Sequence, residues 1–564
     1  MDVFGDFCLA LPSIFDQNVS TRNVTMNLFL DKLYQLQPTV TAKRWVFVPY
    51  DQLTDGFDSL LDPSIPELGI ILVEATERPH FKRYHKQKLA LILANQRHFA
   101  LEQVGKGRSV LYVTAPTYRK ALERVIENVG QVEMMEPAER ALRKELEPLI
   151  LTGRLIEHPN RLWLTKPWDF LDAADGRPWR KDRFYRLVRS RYNYLMDADG
   201  RPAGGQWSFD SENRKPWNEA PRAPASLVFE PDEITEEVVH FVATKFDHHP
   251  GQIDTSRLPA TAADAAAIWR RAQKDCLEHF GPYEDAMSTR SPTLFHTLIS
   301  SVMNLGRLSP QRVLEDVLEM SIPLNSKEGF LRQVLGWREF VRHVHYQSDG
   351  FRRLPTYASP VPRDAGGAVN ALAAHEPLPP VFWGGAPSGL NCLDRVVEEV
   401  VGTGYTHHIN RLMVLANWAT LLGVTPRELT DWFWCMFIDA YDWVVEPNVL
   451  GMGTFATGPL MSTKPYISGS AYIKRMSDYC GDCRFTPGED CPMTSLYWSF
   501  LDRNADPLQS SHRMLMPLAS ARGRSVAQKE RDQRTLNHVR ERLRAGLPVT
   551  PTPIVEEDRQ HAFA

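Results

Sequence analysis

The feature that most constrains the fold is a regular alternation of strand-like and helix-like segments that begins at Arg44. Parallel strands need a crossover connection, usually a helix, so this alternation predicts a parallel sheet flanked by helices. Ligands of such sheets bind at the carboxyl ends of the strands, and Asp51, Gln52 and Glu74 fall just after two predicted strands. The predicted strands cover 45–49, 68–73, 109–114 and 131–135, and the predicted helices cover 85–104 and the segments after Pro116 and from Pro137.

The chain changes character at about Thr261, where strand patterns give way to helical ones. A segment rich in Gly, Pro and Asn over 197–231 predicts a long connection before that point. We therefore predict an α/β domain with a Rossmann-like parallel sheet, followed by a large all-α domain. The predicted boundaries are an extension over 1–43, an α/β domain over 44–176, a connection over 177–260, an all-α domain over 261–524 and a tail over 525–564.

Composition is that of a soluble globular protein, with 564 residues, 43% hydrophobic and 24% charged residues, and a net charge of −4. No apolar run approaches about 18 residues and the N-terminus lacks a basic secretory start, so we expect no membrane span and a cytoplasmic location. The charge balance argues against general coating of nucleic acid but leaves a local basic groove open. Cations mixed with aromatics over 177–195 fit either DNA-backbone tracking or a solvated helix face. No G-x-G-x-x-G or Walker sequence is present.

Two tightly joined apolar helices over 404–442 carry polar groups that need partners if they are buried. Arg411 follows His407 by four residues and His408 by three, so the three side chains can share one side of a helix. Asp439 comes at the end of the second predicted helix. An arginine and a carboxylate facing each other would satisfy one another and leave a histidine free for a ligand. A surface His-His pair and a routine ion pair are the alternative.

Three cysteines lie close together in the sequence, with two residues between Cys480 and Cys483 and seven between Cys483 and Cys491. This spacing favours a metal site and does not separate zinc from an iron–sulfur cluster. Three buried cysteines without a ligand are the alternative. The candidates for a fourth ligand are Cys392 and Cys435, with Cys276 and Cys8 behind them.

Several short motifs, taken in their order along the chain, make this sequence resemble the bacterial iron–sulfur branch of the photolyase/cryptochrome superfamily, whose characterised members are (6-4) photolyases. The resemblance runs from about Arg44 to Arg524 and depends on the order of the motifs. The motifs are His85-Lys86-Gln87-Lys88, Arg97-His98-Phe99, Gly204-Gly205-Gln206-Trp207, Asn213-Arg214-Lys215-Pro216, Trp337-Arg338-Glu339-Phe340, Tyr405-Thr406-His407-His408, Lys464-Pro465-Tyr466-Ile467 and Asp478-Tyr479-Cys480.

The resemblance implies three cofactors: FAD in the helical half, a [4Fe–4S] cluster, and a ribityl-lumazine antenna in the α/β half. It implies that Arg411, paired with Asp439, lies against the isoalloxazine. The implied cluster ligands are Cys392, Cys480, Cys483 and Cys491, which leaves Cys435 as a core thiol. The other implied contacts are Tyr283 beside FAD, Thr297 and Ser300 near its phosphates, Gln333 and Arg342 further along the pocket, and Asp51, Gln52 and Glu74 near the antenna.

The function that the resemblance implies is light-driven repair of UV-damaged DNA by an FAD-dependent (6-4) photolyase, with the lesion flipped into the pocket. His408, with His407 beside it, matches the histidine that supplies a proton at the lesion. Trp383, Trp432 and Tyr441 resemble the aromatic chain that relays electrons to the flavin. The alternative is a cryptochrome-like blue-light photoreceptor that uses the same flavin. We expect a monomer.

The sequence departs from the family pattern in two places that bear on lesion chemistry. Leu412 stands where animal (6-4) enzymes have a second histidine. Val445 and Glu446 stand where an acidic group near flavin N5 is expected. A zinc-stabilised DNA-binding protein without redox chemistry is the hypothesis that is left if the resemblance is misread.

Overall fold

The computed structural model describes residues 27–55, 68–358 and 360–551. Its sheet has five parallel strands in the order β3-β2-β1-β4-β5, which confirms the predicted α/β class of the first part. Strand β2, between β3 and β1, is buried along almost its whole length, because helices cover both faces of the sheet. The strands are β1 Arg44–Phe47, β2 Leu68–Ala75, β3 Ser109–Ala115, β4 Val132–Met135 and β5 Leu155–His158.

The helices of the first part follow the predicted alternation. Helix α2 begins where the motif around His85 predicts, and the His85 ring accepts a hydrogen bond from the Gln87 amide at 3.1 Å. Helix α1 lies inside the predicted extension and packs on the sheet side through buried Phe29 and Leu33. The helices of the first part are α1 Leu28–Leu36, α2 Lys86–Gly105, α3 Tyr118–Val129, α4 Arg140–Leu151 and α5 Pro167–Ala174.

The connecting segment contains two helices, α6 Lys181–Arg191 and α7 Glu233–Lys245, and no helix of four residues or more between them. Arg189 of α6 is buried, and its guanidinium donates to the carbonyls of Tyr194, Leu195 and Trp207. This arginine of the basic stretch over 177–195 therefore holds a turn in place, which is neither of the two roles that the sequence pattern favoured.

The second part contains helices and no sheet strand within the described residues, which confirms the predicted all-α half. Four segments are π-helical, with Ala272–Cys276, Arg332–Arg338, Arg411–Ala416 and Glu446–Gly453 as their bounds. The α-helices are α8 Ala262–Arg271, α9 Leu277–Phe280, α10 Ser300–Asn304, α11 Pro310–Glu319, α12 Leu324–Leu331, α13 Glu339–Ser348, α14 Asn391–Thr403, α15 His408–Asn410, α16 Asn417–Leu422, α17 Pro426–Met436, α18 Asp442–Val445, α19 Ser470–Met476, α20 Pro492–Arg503, α21 Ala505–Leu508, α22 Leu515–Arg522 and α23 Val526–Arg544.

Helix α23 lies in the predicted tail and belongs to the helical core. Its Leu536, Val539 and Leu543 are buried in the same apolar cluster as Phe500 of α20. None of the described helices is both long and apolar enough to cross a membrane. Residues 1–26 of the extension, with Cys8, and residues 552–564 of the tail lie outside the described residues.

The two halves meet along the carboxyl edge of the sheet. The backbone amide of Leu53, just after β1, donates to the carbonyl of Leu305 at 2.8 Å. The Lys88 ammonium of α2 donates to the carbonyls of Trp434 at 2.8 Å and Ala440 at 2.5 Å. These contacts fix the α17–α18 segment against the sheet and place two cavities on either side of it.

Candidate functional site

The larger cavity, which we call the helical cavity, has a volume of about 1010 Å³ and lies among α10, α13 and the π-helical segments. Six residues singled out in the sequence line it: Thr297, Ser300, Gln333, His408, Arg411 and Asp439. The structure therefore brings together side chains that lie up to 142 residues apart in the chain.

Arg411 and Asp439 form a two-pronged ion pair, with both Nη–Oδ distances at 3.0 Å. The Arg411 Nε also donates to the Thr406 carbonyl at 2.7 Å, and Ser300 Oγ donates to Asp439 at 2.7 Å. Burial alone would raise the pKa of Asp439, but Arg411 and these hydrogen bonds hold that pKa below its usual range. The pair predicted from spacing is present, and its carboxylate stays charged.

The sequence pattern misplaced the end of the helix before Asp439. Helix α17 ends at Met436, and Asp439 lies in the turn before α18. Thr425 does not cap α17, because its hydroxyl instead donates to the Glu376 carbonyl at 3.2 Å. Asp439 is aimed at Arg411 by this turn, not by the helical spacing that the apolar pattern indicated.

Three of the four π-helical segments of the described chain border the helical cavity. They contribute Gln333 and Trp337, Arg411, and Asn448. A π-helical turn inserts one residue and is frequent at functional sites, since it turns a side chain away from the 3.6-residue repeat. Leu298, at the cavity wall, has a φ of 60°, a conformation that costs a leucine about 1–3 kcal/mol.

His408 lies at the accessible side of the helical cavity, with 44% of its side chain exposed and its Nε2 3.8 Å from an oxygen of Asp285. His407 points inward instead. Its ring is buried and stacks on His296, with centroids 4.5 Å apart and planes at 11°. Burial lowers the pKa of both His407 and His296 well below the usual range, so both rings are neutral near pH 7. Of the two predicted histidines, His408 is the one positioned to exchange a proton with a ligand.

Two residues expected at the same pocket lie elsewhere. Tyr283 packs on Phe295 and donates its hydroxyl to the Ala220 carbonyl at 3.0 Å, so it does not line the helical cavity. Arg342 lies outside the lining as well, over the Trp163 ring at 5.1 Å, because the π-helical turn before it rotates its side chain toward the first half.

Where an acidic group was sought near Val445 and Glu446, the structure places Asn448 on the helical cavity. Glu446 is buried behind the cavity and pairs with Arg427 at 2.7 Å and with the His345 ring at 3.2 Å.

A smaller cavity of about 610 Å³, which we call the sheet cavity, opens at the carboxyl edge of the sheet. Glu74 lines it, but Asp51 and Gln52 do not. Gln52 instead donates to the carbonyls of Met135 and Glu136, at 3.3 and 3.0 Å, and ties the end of β1 to β4. The sequence singled out Tyr441, as a relay residue, and Lys88, within a motif, and both line this cavity. The other polar and aromatic lining residues are Tyr50, Arg78, Tyr84, Gln96, Tyr118, Glu139 and Trp434.

The charges around the sheet cavity are buried. Arg78 pairs with Glu139, and burial lowers the pKa of Lys88 to about 8. Asp51 is buried beside them, with neither carboxyl oxygen bonded to a described residue. Burial, with Glu139 as a second cause, raises the pKa of Asp51 to about 7. Such orphaned and shifted groups at a strand edge are typical of a ligand site.

The four cysteines implied as cluster ligands lie on one apolar core. Cys392, on α14, is within electrostatic range of Cys480, Cys483 and Cys491, whereas Cys435 is not among its neighbours. Burial raises the pKa of Cys392 to about 12 and that of Cys491 to about 11, so their thiolates need a compensating cation.

The Nε1 of Trp418 donates to the Cys392 sulfur at 3.4 Å. Across the described residues, no three His, Cys, Asp or Glu side chains form a group that could hold a single metal ion.

Comparison with known proteins identifies the family. The family described as deoxyribodipyrimidine photo-lyase-related protein matches residues 46–258. A (6-4) photolyase from Agrobacterium fabrum is 34% identical over 495 residues, which cover 84% of this chain and 94% of that protein. The chain belongs to the photolyase-related family.

Two solved structures extend the photolyase-related likeness to the whole fold. A class III photolyase from Agrobacterium tumefaciens has a TM-score of 0.54 at 14% identity, covering 89% of this chain and 98% of that one. A cryptochrome from Synechocystis has a TM-score of 0.50 at 15% identity, covering 93% of this chain and 98% of that one. At such identities the likeness shows the fold alone, and it confirms the predicted photolyase-like architecture.

The three aromatic residues predicted to relay electrons in this photolyase-related protein fall into two places. Trp432 is fully buried and donates its Nε1 to the carbonyl of Phe382, the residue before the half-exposed Trp383. Trp432 also reaches Phe437 at 5.8 Å, and Phe437 lies under the Arg411 guanidinium at 4.3 Å. Contacts therefore link Arg411, at the helical cavity, through Phe437 and Trp432 to the backbone of the residue before Trp383.

Tyr441 is not part of this series of contacts. Its ring stacks on Tyr50 at 6.0 Å and lines the sheet cavity. The segment from Asp439 to Val444 thus forms a wall between the two cavities, with Asp439, Trp443 and Val444 on one side and Tyr441 on the other.

The sequence analysis missed several residues that line the helical cavity. Those with a polar or aromatic side chain are Phe280, His296, Asn304, Phe330, Trp337, Arg338, Tyr405, Trp443 and Asn448. Three of them, Trp337, Arg338 and Tyr405, were quoted within motifs but received no role at the pocket. Asn304 and Asn448 lie in apolar stretches, and a polar residue on such a face is the signal that could have found them.

Proposed function

We propose that this protein is a light-driven DNA repair enzyme that reverses pyrimidine (6-4) pyrimidone photoproducts with FAD in the helical cavity. The observation that carries the proposal is a buried Arg411–Asp439 pair in the same cavity as the half-exposed His408. The 34% identity with a (6-4) photolyase over 84% of this chain supports the same activity.

The residues of the helical cavity fit FAD. A charged guanidinium–carboxylate pair is costly to bury in an apolar interior, and a polar ring system with hydrogen-bonding edges would use it. Arg411 and Asp439 would hold the isoalloxazine, with Thr297 and Ser300 toward the phosphates and Gln333 further along. Reduced FAD, when bound and excited by light, supplies the electron that the lesion needs. The contacts through Phe437 and Trp432 toward Trp383 offer a route by which this chain would return the flavin to its reduced form.

His408 would serve as the acid at the lesion. Reversal of a (6-4) photoproduct moves a hydroxyl between two pyrimidines, and an acid near that oxygen must supply a proton. His408 is half-exposed at the helical cavity, so a flipped nucleotide can approach it. Neutral His407 and His296 would orient the His408 ring by packing. UV-damaged DNA is then the macromolecular substrate, and we expect the protein to act on it as a monomer.

The sheet cavity would hold the antenna, for which a ribityl-lumazine fits the polar edge and the aromatic walls. Arg78, Lys88 and Glu74 offer charged partners for its heterocycle, and Tyr50, Tyr118 and Tyr441 offer flat surfaces. Tyr441 would lie between this chromophore and the flavin side of the molecule. Asp51 and Gln52 would support the strand edge without touching the chromophore.

A [4Fe–4S] cluster held by Cys392, Cys480, Cys483 and Cys491 would explain why four partly buried thiols share one place. In Cys392→Ala we expect iron, and the part of the visible absorbance that comes from the cluster and not from FAD, to be lost from anaerobically purified protein. Cys435→Ala is the matched control, a buried thiol of the same core that should leave both unchanged. Zinc without iron in the wild type would contradict the cluster.

The repair assay tests the proposed function directly. Photoreduced protein, illuminated with blue light, is expected to reverse (6-4) lesions and leave cyclobutane dimers intact in single- and double-stranded DNA. Chromatography of the digested DNA measures both lesions. Unchanged (6-4) lesions in protein that retains its FAD would refute repair and favour a photoreceptor.

A further inference from the structure

A third cavity, which we call the lateral cavity, lies behind the wall of the helical cavity and is absent from the proposed repair chemistry. It has a volume of about 790 Å³. Phe229, Arg271, Thr293, Ser301, Glu399 and Tyr405 are among its lining residues. It shares only Leu298 and Tyr405 with the helical cavity, so it is a separate space.

The lateral cavity is lined by two hydroxyls that make no side-chain hydrogen bond and by one buried arginine nitrogen without a partner among the described residues. Thr293 and Ser301 are 7% and 5% exposed, and neither hydroxyl bonds to any described residue. Arg271 is 6% exposed and its Nη2 has no partner within the described chain. Folded proteins satisfy nearly all buried polar groups, so the unpaired Arg271 nitrogen beside these two hydroxyls indicates a ligand that completes it.

Glu399 supplies a hydrogen-bond acceptor to the lateral cavity. One of its oxygens accepts a hydrogen bond from the Thr406 hydroxyl at 2.7 Å, and the other receives none from the described residues. Burial raises the pKa of Glu399 to about 7. The cavity therefore has donors at Arg257, Arg271, Thr293 and Ser301, and an acceptor at Glu399.

The remaining walls decide the shape of the ligand. Apolar side chains such as Ile268 and Leu298 cover most of the surface, and the rings of Phe229 and Tyr405 lie among them. Walls of this kind suit a flat ring system, whose faces meet apolar surface and whose edges carry the polar atoms. A purely apolar ligand would leave the orphaned groups unsatisfied, and a simple anion would face the carboxyl of Glu399.

We propose that the lateral cavity binds a planar heterocycle of the guanine type, in which a ring N–H and an exocyclic amino group lie beside a carbonyl acceptor. The N–H groups donate to Glu399, and the carbonyl oxygen accepts from Arg271 and a neighbouring hydroxyl. Arginine donating to a guanine carbonyl and a carboxylate accepting from ring N–H groups are ordinary pairings of these side chains. The site does not depend on flavin in the helical cavity.

Guanosine binding to the purified holoprotein in the dark, measured by calorimetry with FAD absorbance followed in parallel, tests this site. We expect about one guanosine per chain, with adenosine at least fivefold weaker because it lacks the carbonyl and the ring N–H. In Glu399→Gln the amide oxygen is expected to keep the hydrogen bond from Thr406. The NH₂ group then faces the ligand, and the affinity for guanosine should fall at least tenfold.

Glu398→Gln is the matched control, because Glu398 is its exposed neighbour on α14 and should leave guanosine affinity unchanged. If Glu399→Gln does not fold, Thr293→Val removes one donor at constant volume and should weaken guanosine at least threefold. No guanosine binding to protein that retains FAD, release of FAD by guanosine, or full affinity in the tested variant would each overturn the proposal.

Discussion

The helical cavity and the sheet cavity differ in whether the buried carboxylate next to each is paired and ionised. In the helical cavity, Asp439 is matched to Arg411 at 3.0 Å and stays ionised, and His408 remains exposed to an incoming ligand. Beside the sheet cavity, Asp51 has no hydrogen-bond partner among the described residues and its pKa rises to about 7. A paired charge beside an accessible imidazole suits proton and electron chemistry, whereas buried and partly neutralised groups suit tight binding of a chromophore.

The largest expected effect concerns the accessible imidazole. Because a positioned acid contributes about 10²–10⁴ in rate, His408→Ala should lower (6-4) repair at least ~100-fold while FAD content is kept. Lesion chromatography and flavin absorbance measure the two quantities. His248→Ala, at an exposed histidine that lines neither cavity, should repair normally. Undiminished repair in His408→Ala would remove the proposed acid.

Asp439→Asn tests whether the helical cavity depends on its paired charge. Removing the carboxylate leaves the largely buried Arg411 uncompensated, which costs on the order of 3 kcal/mol, and FAD retention should fall with it. The folded-state pKa of Asp439 is lowered, so its contribution is present above the unfolded value near 4 and is lost as pH falls below it. Thermal unfolding at pH 8 and the FAD-to-protein ratio check this. A stable, fully flavinated Asp439→Asn protein would contradict it.

The aspartate-to-asparagine substitution at Asp51, beside the sheet cavity, should have the opposite effect on stability. The folded-state pKa of Asp51, about 7, lies above the unfolded value of 3.8, so its penalty is absent below pH 4 and grows as pH rises to 7. Asp51→Asn should therefore stabilise the protein at pH 8, by on the order of 1–3 kcal/mol, and change little at pH 4. Unfolding at both pH values measures this, and exposed Asp199→Asn is the control. Destabilisation at pH 8 would show that Asp51 is paired after all.

The smallest expected effect is confined to light harvesting. Lys88→Met removes the buried ammonium from the sheet cavity and should release the antenna while flavin stays bound. Repair should then proceed at the rate that flavin absorption alone sustains. An action spectrum of repair measures the loss of the antenna band. An unchanged antenna band would place the chromophore elsewhere.

Much of the fold followed from local patterns. The predicted strands at 45–49, 68–73, 109–114 and 131–135 each correspond to a strand of the sheet, because buried parallel strands read as short apolar runs. The short strand β5 was not predicted, since the four residues Leu155–His158 carry too little pattern. Helix α23 was not predicted either, for a different reason. Its sequence is strongly charged, and only packing against α20 reveals its apolar side.

The candidate site divides in the same way. Motif order and spacing identified Arg411, Asp439, His408 and the cysteine cluster, because short-range spacing restricts which side chains can meet. Spacing did not place Arg342 or Asn448, since the π-helical turns at 332–338 and 446–453 shift side chains off the expected repeat.

By itself, the sequence determined the family, the order of a parallel sheet and a helical half, and the residue types of the chemistry. Those properties depend on local periodicity and on motifs that are contiguous in the chain. Only the tertiary structure decided which groups share a cavity: Tyr441 with Tyr50, Asn448 with Arg411, and Cys392 with Cys480. Such pairings depend on how distant segments pack, and packing is fixed by the whole core rather than by any local run of residues.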